Sequence, residues 1–110
     1  MSATAATGLL FLAPLSPDSF PAPGTWIVYL LECADLTLYC GVTNNLARRL
    51  EQHNLGQASK CTAARLPVRL SLAAAFPDKR SAMRAEYRVK RAGRERKHET
   101  LARLSAANIL

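Results

Sequence analysis

The sequence has few cysteines, and none of them stands in a pairing or metal-binding pattern. The three, Cys33, Cys40 and Cys61, form an odd number and include no CxxC spacing. The sequence therefore predicts neither a disulfide framework nor a structural zinc site. Cys33 and Cys40 lie in or beside apolar runs, as buried thiols do, and this usage indicates a reducing, cytoplasmic compartment.

Long apolar runs are also missing. The run at residues 8–13 is far too short to span a bilayer, and no Lys or Arg precedes it, as a signal peptide would require. We therefore expect neither a signal peptide nor a membrane partner. Residues 1–24 contain four prolines and a single charged side chain, Asp18. This composition predicts a disordered or loosely packed N-terminal tail, followed by one domain over residues 25–106.

Acidic residues are scarce relative to basic ones. The chain of 110 residues has 8 Asp and Glu against 15 Lys and Arg, which gives a net charge of +7. A small, strongly basic chain is typical of a protein that binds a polyanion, and nucleic acid is the first candidate. Most of the surplus falls after residue 77, in two predicted helices. These helices are a candidate phosphate-facing surface, and the alternative is an ordinary solvated face.

The apolar pattern predicts a mixture of strands and helices within a single domain. Three short apolar runs predict strands, at residues 25–33, 36–41 and 68–76. Helical periodicity predicts three helices, at residues 45–55, 79–92 and 94–106. The first two strands are separated by a short polar break at Ala34 and Asp35, which indicates a hairpin.

Each strand of this hairpin carries one tyrosine. Tyr29 and Tyr39 are an even number of positions apart, so a turn centred near Ala34 would place them directly opposite each other on one face. The alternative is an ordinary cross-strand aromatic pair with no further role, which is common in sheets.

The helix at residues 45–55 places polar side chains beside its buried stripe. Leu46 and Leu50 define the inward stripe, and Arg49 and His53 flank it at one turn's spacing. We expect Arg49 to point along the sheet toward the tyrosines. The alternatives are an arginine that extends to solvent at the core margin and a histidine satisfied at the edge.

A carboxylate falls on the apolar face of the next helix. The inward residues there are predicted to be Ala82, Met83, Ala85 and Val89. Glu86 lies within that arc, where a charge is costly unless it has a partner. This position favours a functional role for Glu86, and the alternative is an ion pair with Lys90 four residues later.

Taken in order, four groups of residues resemble the GIY-YIG nuclease superfamily. They are Val28-Tyr29-Leu30, Tyr39-Cys40-Gly41, Arg49 with His53, and Glu86. The resemblance covers about residues 25–95 and is closest to the small single-domain group called UPF0213 or YhbQ-like. It implies an α+β fold with a small three-stranded antiparallel sheet flanked by helices. It also implies a metal-dependent phosphodiesterase that cuts DNA.

The resemblance assigns a role to each matching residue. Tyr29 and Tyr39 are the tyrosines of the two motifs, Arg49 binds phosphate, and His53 supports the site. Glu86 holds a single divalent ion, Mg²⁺ or Mn²⁺. We expect Tyr39 to act as the general base with His53 as its partner, and His53 itself is the competing base.

The sequence departs from the family pattern at two places. Val42 follows the second motif, where the repair-nuclease branch has a lysine, and the asparagine found after the glutamate helix in many members has no clear equivalent. We predict that DNA is contacted by basic residues outside the motifs, namely Lys60, Arg65, Arg84, Arg88, Lys90 and Arg91.

The predicted function is that of an endonuclease or exonuclease of low sequence specificity in DNA repair or turnover. Its DNA substrate is structured or single-stranded, and the protein is a monomer or a weak homodimer. One alternative is a catalytically weak nucleic-acid-binding module that keeps the fold. A second alternative is a protein-interaction domain that uses residues 1–24.

Overall fold

The computed structural model of the chain describes residues 10–12 and 20–107. In this part, four strands form one antiparallel sheet in the order β1-β4-β2-β3. The strands are β1 (Leu10–Leu12), β2 (Trp26–Glu32), β3 (Leu38–Thr43) and β4 (Arg69–Phe76). The helices are α1 (Leu46–Asn54), α2 (Lys60–Ala63), α3 (Lys79–Arg91) and α4 (Lys97–Ala107), with a short 3₁₀ turn at Arg94–Arg96.

The predicted α+β fold is confirmed, and one strand is added to it. Strands β2, β3 and β4 form the expected three-stranded antiparallel sheet, with helices packed on it. Strand β1 adds a short fourth strand at the edge, where Leu10 lies opposite Ala74 and Leu12 opposite Leu72. This strand falls in the segment predicted to be a loose tail. The rest of that segment up to residue 19 lies outside the described residues, so the prediction stays a prediction there.

The turn of the β2–β3 hairpin is centred one residue later than predicted. Tyr29 lies opposite Gly41, and Tyr39 lies opposite Leu31. The two tyrosines therefore share a face, as predicted, but they are diagonal neighbours, and the expectation of direct opposition is wrong. The cause is the turn itself, in which Leu36 adopts a left-handed conformation and the Asp35 carboxylate accepts hydrogen bonds from the backbone and hydroxyl of Thr37.

Central strand β2 is buried on both faces of the sheet. On one face, Val28 and Leu30 pack with Leu72, Ala85 and other residues of β4, α3 and α4. On the other face, the odd-numbered residues of β2, including Tyr29, pack against the inward side of α1. Because side chains alternate between the two faces of a strand, α3 and α4 cover one face of the sheet and α1 covers the other. The two tyrosines lie on the face that α1 covers.

Side chains cap both ends of α3 and fix its position. The Asp78 carboxylate accepts from the backbone N–H of Ser81 at 2.8 Å, which is the usual N-cap arrangement. At the other end, the Lys97 ammonium donates to three backbone carbonyls, those of Val89, Lys90 and Ala92. A cation placed there satisfies carbonyls that the helix itself leaves free.

One predicted core residue of α3 is exposed. Met83 was expected to point inward, but its side chain is 46% exposed. The buried residues of the helix are Ala82, Ala85 and Val89. Because successive helical residues are rotated by about 100°, Met83 points away from that buried arc.

The described part of the chain contains no helix with the length and apolar character of a membrane span.

Candidate active site

Tyr29 is buried at the centre of the sheet, and its ring lies across the backbone of β3 at Gly41. The side chain is only 2% exposed. A Cβ atom added at Gly41 would lie 2.6 Å from the Cζ atom of Tyr29 and closer still to the hydroxyl. Position 41 must therefore lack a side chain for the tyrosine ring to occupy this place.

Three rings from separate elements meet on this face. Tyr29 comes from β2, Tyr39 from β3 and His53 from α1. The ring centroids of Tyr29 and Tyr39 are 6.5 Å apart, and those of His53 lie 5.7 Å from Tyr29 and 5.1 Å from Tyr39. The structure thus brings together three of the residues that the sequence singled out.

A chain of hydrogen bonds fixes the protonation of the histidine. The Tyr29 hydroxyl is 2.8 Å from His53 Nε2, and His53 Nδ1 is 2.8 Å from the Thr62 hydroxyl. That hydroxyl donates to the Ser59 carbonyl at 3.3 Å, so it accepts from Nδ1–H. Neutral His53 then carries its proton on Nδ1 and accepts at Nε2 from Tyr29.

This arrangement changes the predicted partner of the histidine. The hydrogen bond of His53 goes to Tyr29, whereas Tyr39 meets the imidazole edge-on. The sequence also missed Thr62, which is buried on α2 and orients the imidazole. Its neighbour Ser59 caps α2, and a Ser-x-x-Thr pattern in a polar loop was the available indication of a turn there.

The buried groups of the cluster are held in their neutral forms. Burial, followed by the neighbouring Tyr39, raises the pKa of Tyr29 well above its ordinary value, although Arg49 opposes the shift. Burial and the charge of Arg49 lower the pKa of His53. At neutral pH, Tyr29 is therefore a phenol, and His53 is a neutral imidazole that is able to accept a proton.

Arg49 borders the ring cluster from α1. Its side chain is half-buried, whereas the adjacent Arg48 is exposed. The guanidinium of Arg49 acts electrostatically on both Tyr29 and His53. Both arginines line an open cavity of about 250 Å³ at the start of α1. Arg49 is thus placed to contact a bound anion beside the rings.

Glu86 lies on α3, which packs on the opposite face of the sheet from the ring cluster. The pKa of the Cys40 thiol in that strand is raised to about 12, first by burial and then by the charge of Glu86. The same charge contributes to the raised pKa of Tyr29. Within the described part of the chain, no hydrogen bond joins Glu86 to the tyrosines or to Arg49. Its connection to the cluster is electrostatic, across the edge of the sheet.

Glu86 also forms the ion pair that was its alternative role. Its carboxylate lies 3.2 Å from the ammonium of Lys90, and its side chain is 19% exposed. Partial burial disfavours the charge on Lys90, yet its pKa is raised, because Glu86 accepts a hydrogen bond from it and Tyr39 and Cys40 lie nearby. The pair therefore stands at the β3 edge beside the second motif.

Glu86 offers one oxygen ligand of the kind that a single hard cation binds. Among the described residues, no group of three His, Cys, Asp or Glu side chains is placed to hold a metal ion. A magnesium or manganese ion requires less protein than that, since one carboxylate together with water and substrate phosphate completes its shell. Glu86 is the carboxylate whose charge acts on Tyr29 and Cys40.

The remaining predicted DNA contacts fall in two separate places. Lys60 and Arg65 lie on and after α2, where the Arg65 guanidinium is held by Asp35 at 2.8 Å and by the Cys61 carbonyl at 2.9 Å. The other four lie on α3: Arg84, Arg88, Lys90 and Arg91. Of these four, Lys90 pairs with Glu86, whereas Arg84 and Arg88 line a separate groove on the outer face of the helix.

Comparison with known proteins identifies the family. Residues 25–99 match the GIY-YIG catalytic domain. The chain therefore belongs to the GIY-YIG family of nuclease domains, which confirms the predicted resemblance. It is similar to a UPF0213 protein of Nitratidesulfovibrio vulgaris, with 49% identity over 74% of each chain. A UPF0213 protein of Streptococcus pneumoniae is 45% identical over 76% of this chain and 84% of its own.

A solved structure belongs to the same group. The solution NMR structure of a UPF0213 protein from Bacillus halodurans is 41% identical in sequence and covers 71% of this chain and 83% of its own, with a TM-score of 0.46. The sequence similarity to the relatives from Nitratidesulfovibrio vulgaris and Streptococcus pneumoniae places the chain in the UPF0213 group, as predicted.

Proposed function

We propose that this protein is a cytoplasmic nuclease that hydrolyses phosphodiester bonds in DNA with low sequence specificity, in repair or turnover. The observation that carries the proposal is the cluster of Tyr29, Tyr39 and His53, with ring centroids 5.1–6.5 Å apart. Arg49 lowers and Glu86 raises the pKa of Tyr29, so both charges act on this tyrosine. These are the five residues to which the sequence resemblance assigns the roles of the family motifs.

The chemistry assigned to these groups follows from their protonation and exposure. Arg49 offers a planar fork of donors that matches two oxygens of a phosphate. The half-exposed Tyr39 is the ring open to water, and in this proposal its deprotonated oxygen takes the proton of the attacking water. His53 accepts from Tyr29 and holds that ring in place. A divalent ion at Glu86 supplies charge neutralisation for the phosphate.

The cleavage assay tests Arg49 against its neighbour. With supercoiled plasmid and labelled single strands in Mg²⁺ or Mn²⁺, we expect Arg49→Ala to slow cutting by about 100-fold or more, as when a transition-state donor is removed. The matched control, Arg48→Ala, removes the same charge from an exposed position. It is expected to change the rate by less than about threefold, a small rim-charge effect. If the two variants lose the same fraction of the cleavage rate, Arg49 contributes only a general electrostatic attraction for DNA.

One observation favours the alternative of a weakly catalytic binding module. The carboxylate of Glu86 is paired with Lys90, and an ammonium there competes with a cation. The same assay separates the two functions. If the wild-type protein binds DNA in a salt-sensitive manner but does not cut it in Mg²⁺ or Mn²⁺, the protein is a binding module and the proposed nuclease is refuted.

The pH dependence of cleavage distinguishes the two candidate bases. Because burial and Arg49 lower the pKa of His53 below 6.5, a reaction that uses His53 levels off above about pH 6.5. A rate that continues to rise between about pH 7.5 and 9 excludes His53 as the base and leaves that role to Tyr39. The measurement is the initial rate in Mg²⁺ across this range. A plateau from neutral pH upward assigns the base role to His53.

A further inference from the structure

The outer face of α3 exposes two apolar side chains one turn apart. Tyr87 is 61% exposed and Met83 is 46% exposed. Neither contributes to the core, which is reached by Ala82, Ala85 and Val89 on the opposite side of the helix. Two neighbouring exposed side chains of this kind on the charged outer face of a helix form an apolar patch, which is a candidate contact surface.

Cationic side chains surround this apolar pair. A surface groove of about 740 Å³ is lined by Lys79, Arg80, Met83, Arg84, Tyr87 and Arg88. Four of these six residues are basic and none is acidic. The two acids of the region are engaged elsewhere, Asp78 as the helix cap and Glu86 with Lys90. The groove therefore has the charge that complements a polyanion.

The tyrosine at the centre of the groove is held by a further arginine. The guanidinium of Arg91 lies 5.4 Å from the centroid of the Tyr87 ring, and its Nη1 atom is 3.3 Å from the Tyr87 hydroxyl. This contact restrains the ring while most of its surface stays exposed to solvent. A restrained aromatic ring costs less conformational entropy when a flat ligand stacks on it.

We propose that this groove binds an unpaired stretch of a nucleic acid strand. One base stacks on Tyr87, beside Met83, and the flanking phosphates contact Arg84 and Arg88. Stacking requires an accessible base face, which a duplex hides and a single strand presents. Two apolar side chains are too few to insert into a membrane surface, and the four cations match a phosphate backbone.

The groove and Glu86 lie on the same helix, α3. Tyr87 directly follows Glu86, and the two side chains are therefore about 100° apart around the helix axis. A strand bound along the groove is thus led toward the edge of β3, where Glu86 stands. The inference rests on the proposed function, because it takes the ligand of the site to be nucleic acid.

Binding without cleavage tests the groove. The affinity of the full chain for a labelled oligothymidine of about 15 nucleotides, the matching oligouridine and a duplex of equal length is measured by fluorescence anisotropy in EDTA. We expect Tyr87→Ala to weaken binding of the single strands about tenfold, as for the loss of one stacked base. The duplex affinity is expected to change less than twofold. Preference for one of the two single strands decides between DNA and RNA.

Matched variants separate stacking from charge. Leu55 is also 61% exposed, at the end of α1, so Leu55→Ala removes an equally exposed apolar side chain and is expected to leave binding unchanged. Tyr87→Phe keeps the ring and is expected to bind like the wild type. Arg84→Ala is expected to reduce the slope of log K against log salt by about 0.7 for the single strands, whereas Tyr87→Ala leaves the slope unchanged.

Two results would overturn the proposal. One is single-strand affinity in Tyr87→Ala equal to that of the wild type, and the other is an equal loss for duplex and single strands. Because no metal is present, these outcomes are independent of cleavage. A wild-type protein that binds through Tyr87 but never cuts leaves the groove standing and refutes the proposed nuclease.

Discussion

Glu86→Gln is expected to lower the rate of DNA cleavage by about 1,000-fold while the protein remains folded. Glutamine keeps the shape of the side chain and removes the charge that acts on Tyr29 and Cys40. The amide is also a poor ligand for a magnesium ion. The free energy of unfolding is expected to change by less than about 0.5 kcal/mol, because the pair with Lys90 is a partly exposed i,i+4 pair.

The measurement is single-turnover cleavage of a labelled strand in Mg²⁺, with unfolding in urea as the check on the fold. Glu99→Gln is the matched control, since it makes the same chemical change at an exposed carboxylate paired with Arg96 on the neighbouring helix. If Glu86→Gln cleaves DNA as fast as this control, Glu86 has no role in catalysis and serves only in the ion pair with Lys90.

Gly41→Ala is expected to destabilise the protein by about 2–4 kcal/mol and to stop cleavage. The added methyl group would lie 2.6 Å from Tyr29 Cζ, and the ring that it would displace is buried. Overpacking of this kind costs about 1–3 kcal/mol. Displacing the ring also breaks the hydrogen bond between Tyr29 and His53, which adds about 1 kcal/mol.

Urea unfolding provides the measurement, and another glycine provides the control. An added Cβ at Gly93 meets nothing within 4 Å, and its φ of −63° is open to alanine. Gly93→Ala is therefore expected to change stability by no more than about 1 kcal/mol. If the two variants were equally stable, the ring of Tyr29 would not depend on the missing side chain at position 41.

The elements that the sequence predicted are those set by local pattern. The runs that became β2, β3 and β4 and the periodic helices were all predicted, because alternation, caps and breaks lie within each segment. Strand β1 was missed because Leu10–Leu12 is only three residues long. Its pairing with β4 is a long-range contact that no local pattern records.

The candidate site also has parts that local sequence patterns predicted and parts that they did not. The grouping of Tyr29, Tyr39, Arg49 and His53 followed from strand alternation, helical spacing and the resemblance to a known family. The exact register did not, because it depends on the left-handed Leu36 in the turn. Residues whose roles arise only when elements pack escaped prediction altogether. They are Thr62 as the partner of His53 and Tyr87 as an exposed ring.

The central claim is that the tyrosine cluster and Glu86 form one site that binds a divalent ion on the way to phosphodiester cleavage. Anomalous diffraction from crystals soaked in MnCl₂ tests it most directly. The account predicts a manganese peak in contact with the Glu86 carboxylate, on the side that faces Tyr39 and Arg49. A manganese ion bound elsewhere, with Glu86 still paired to Lys90, would contradict it.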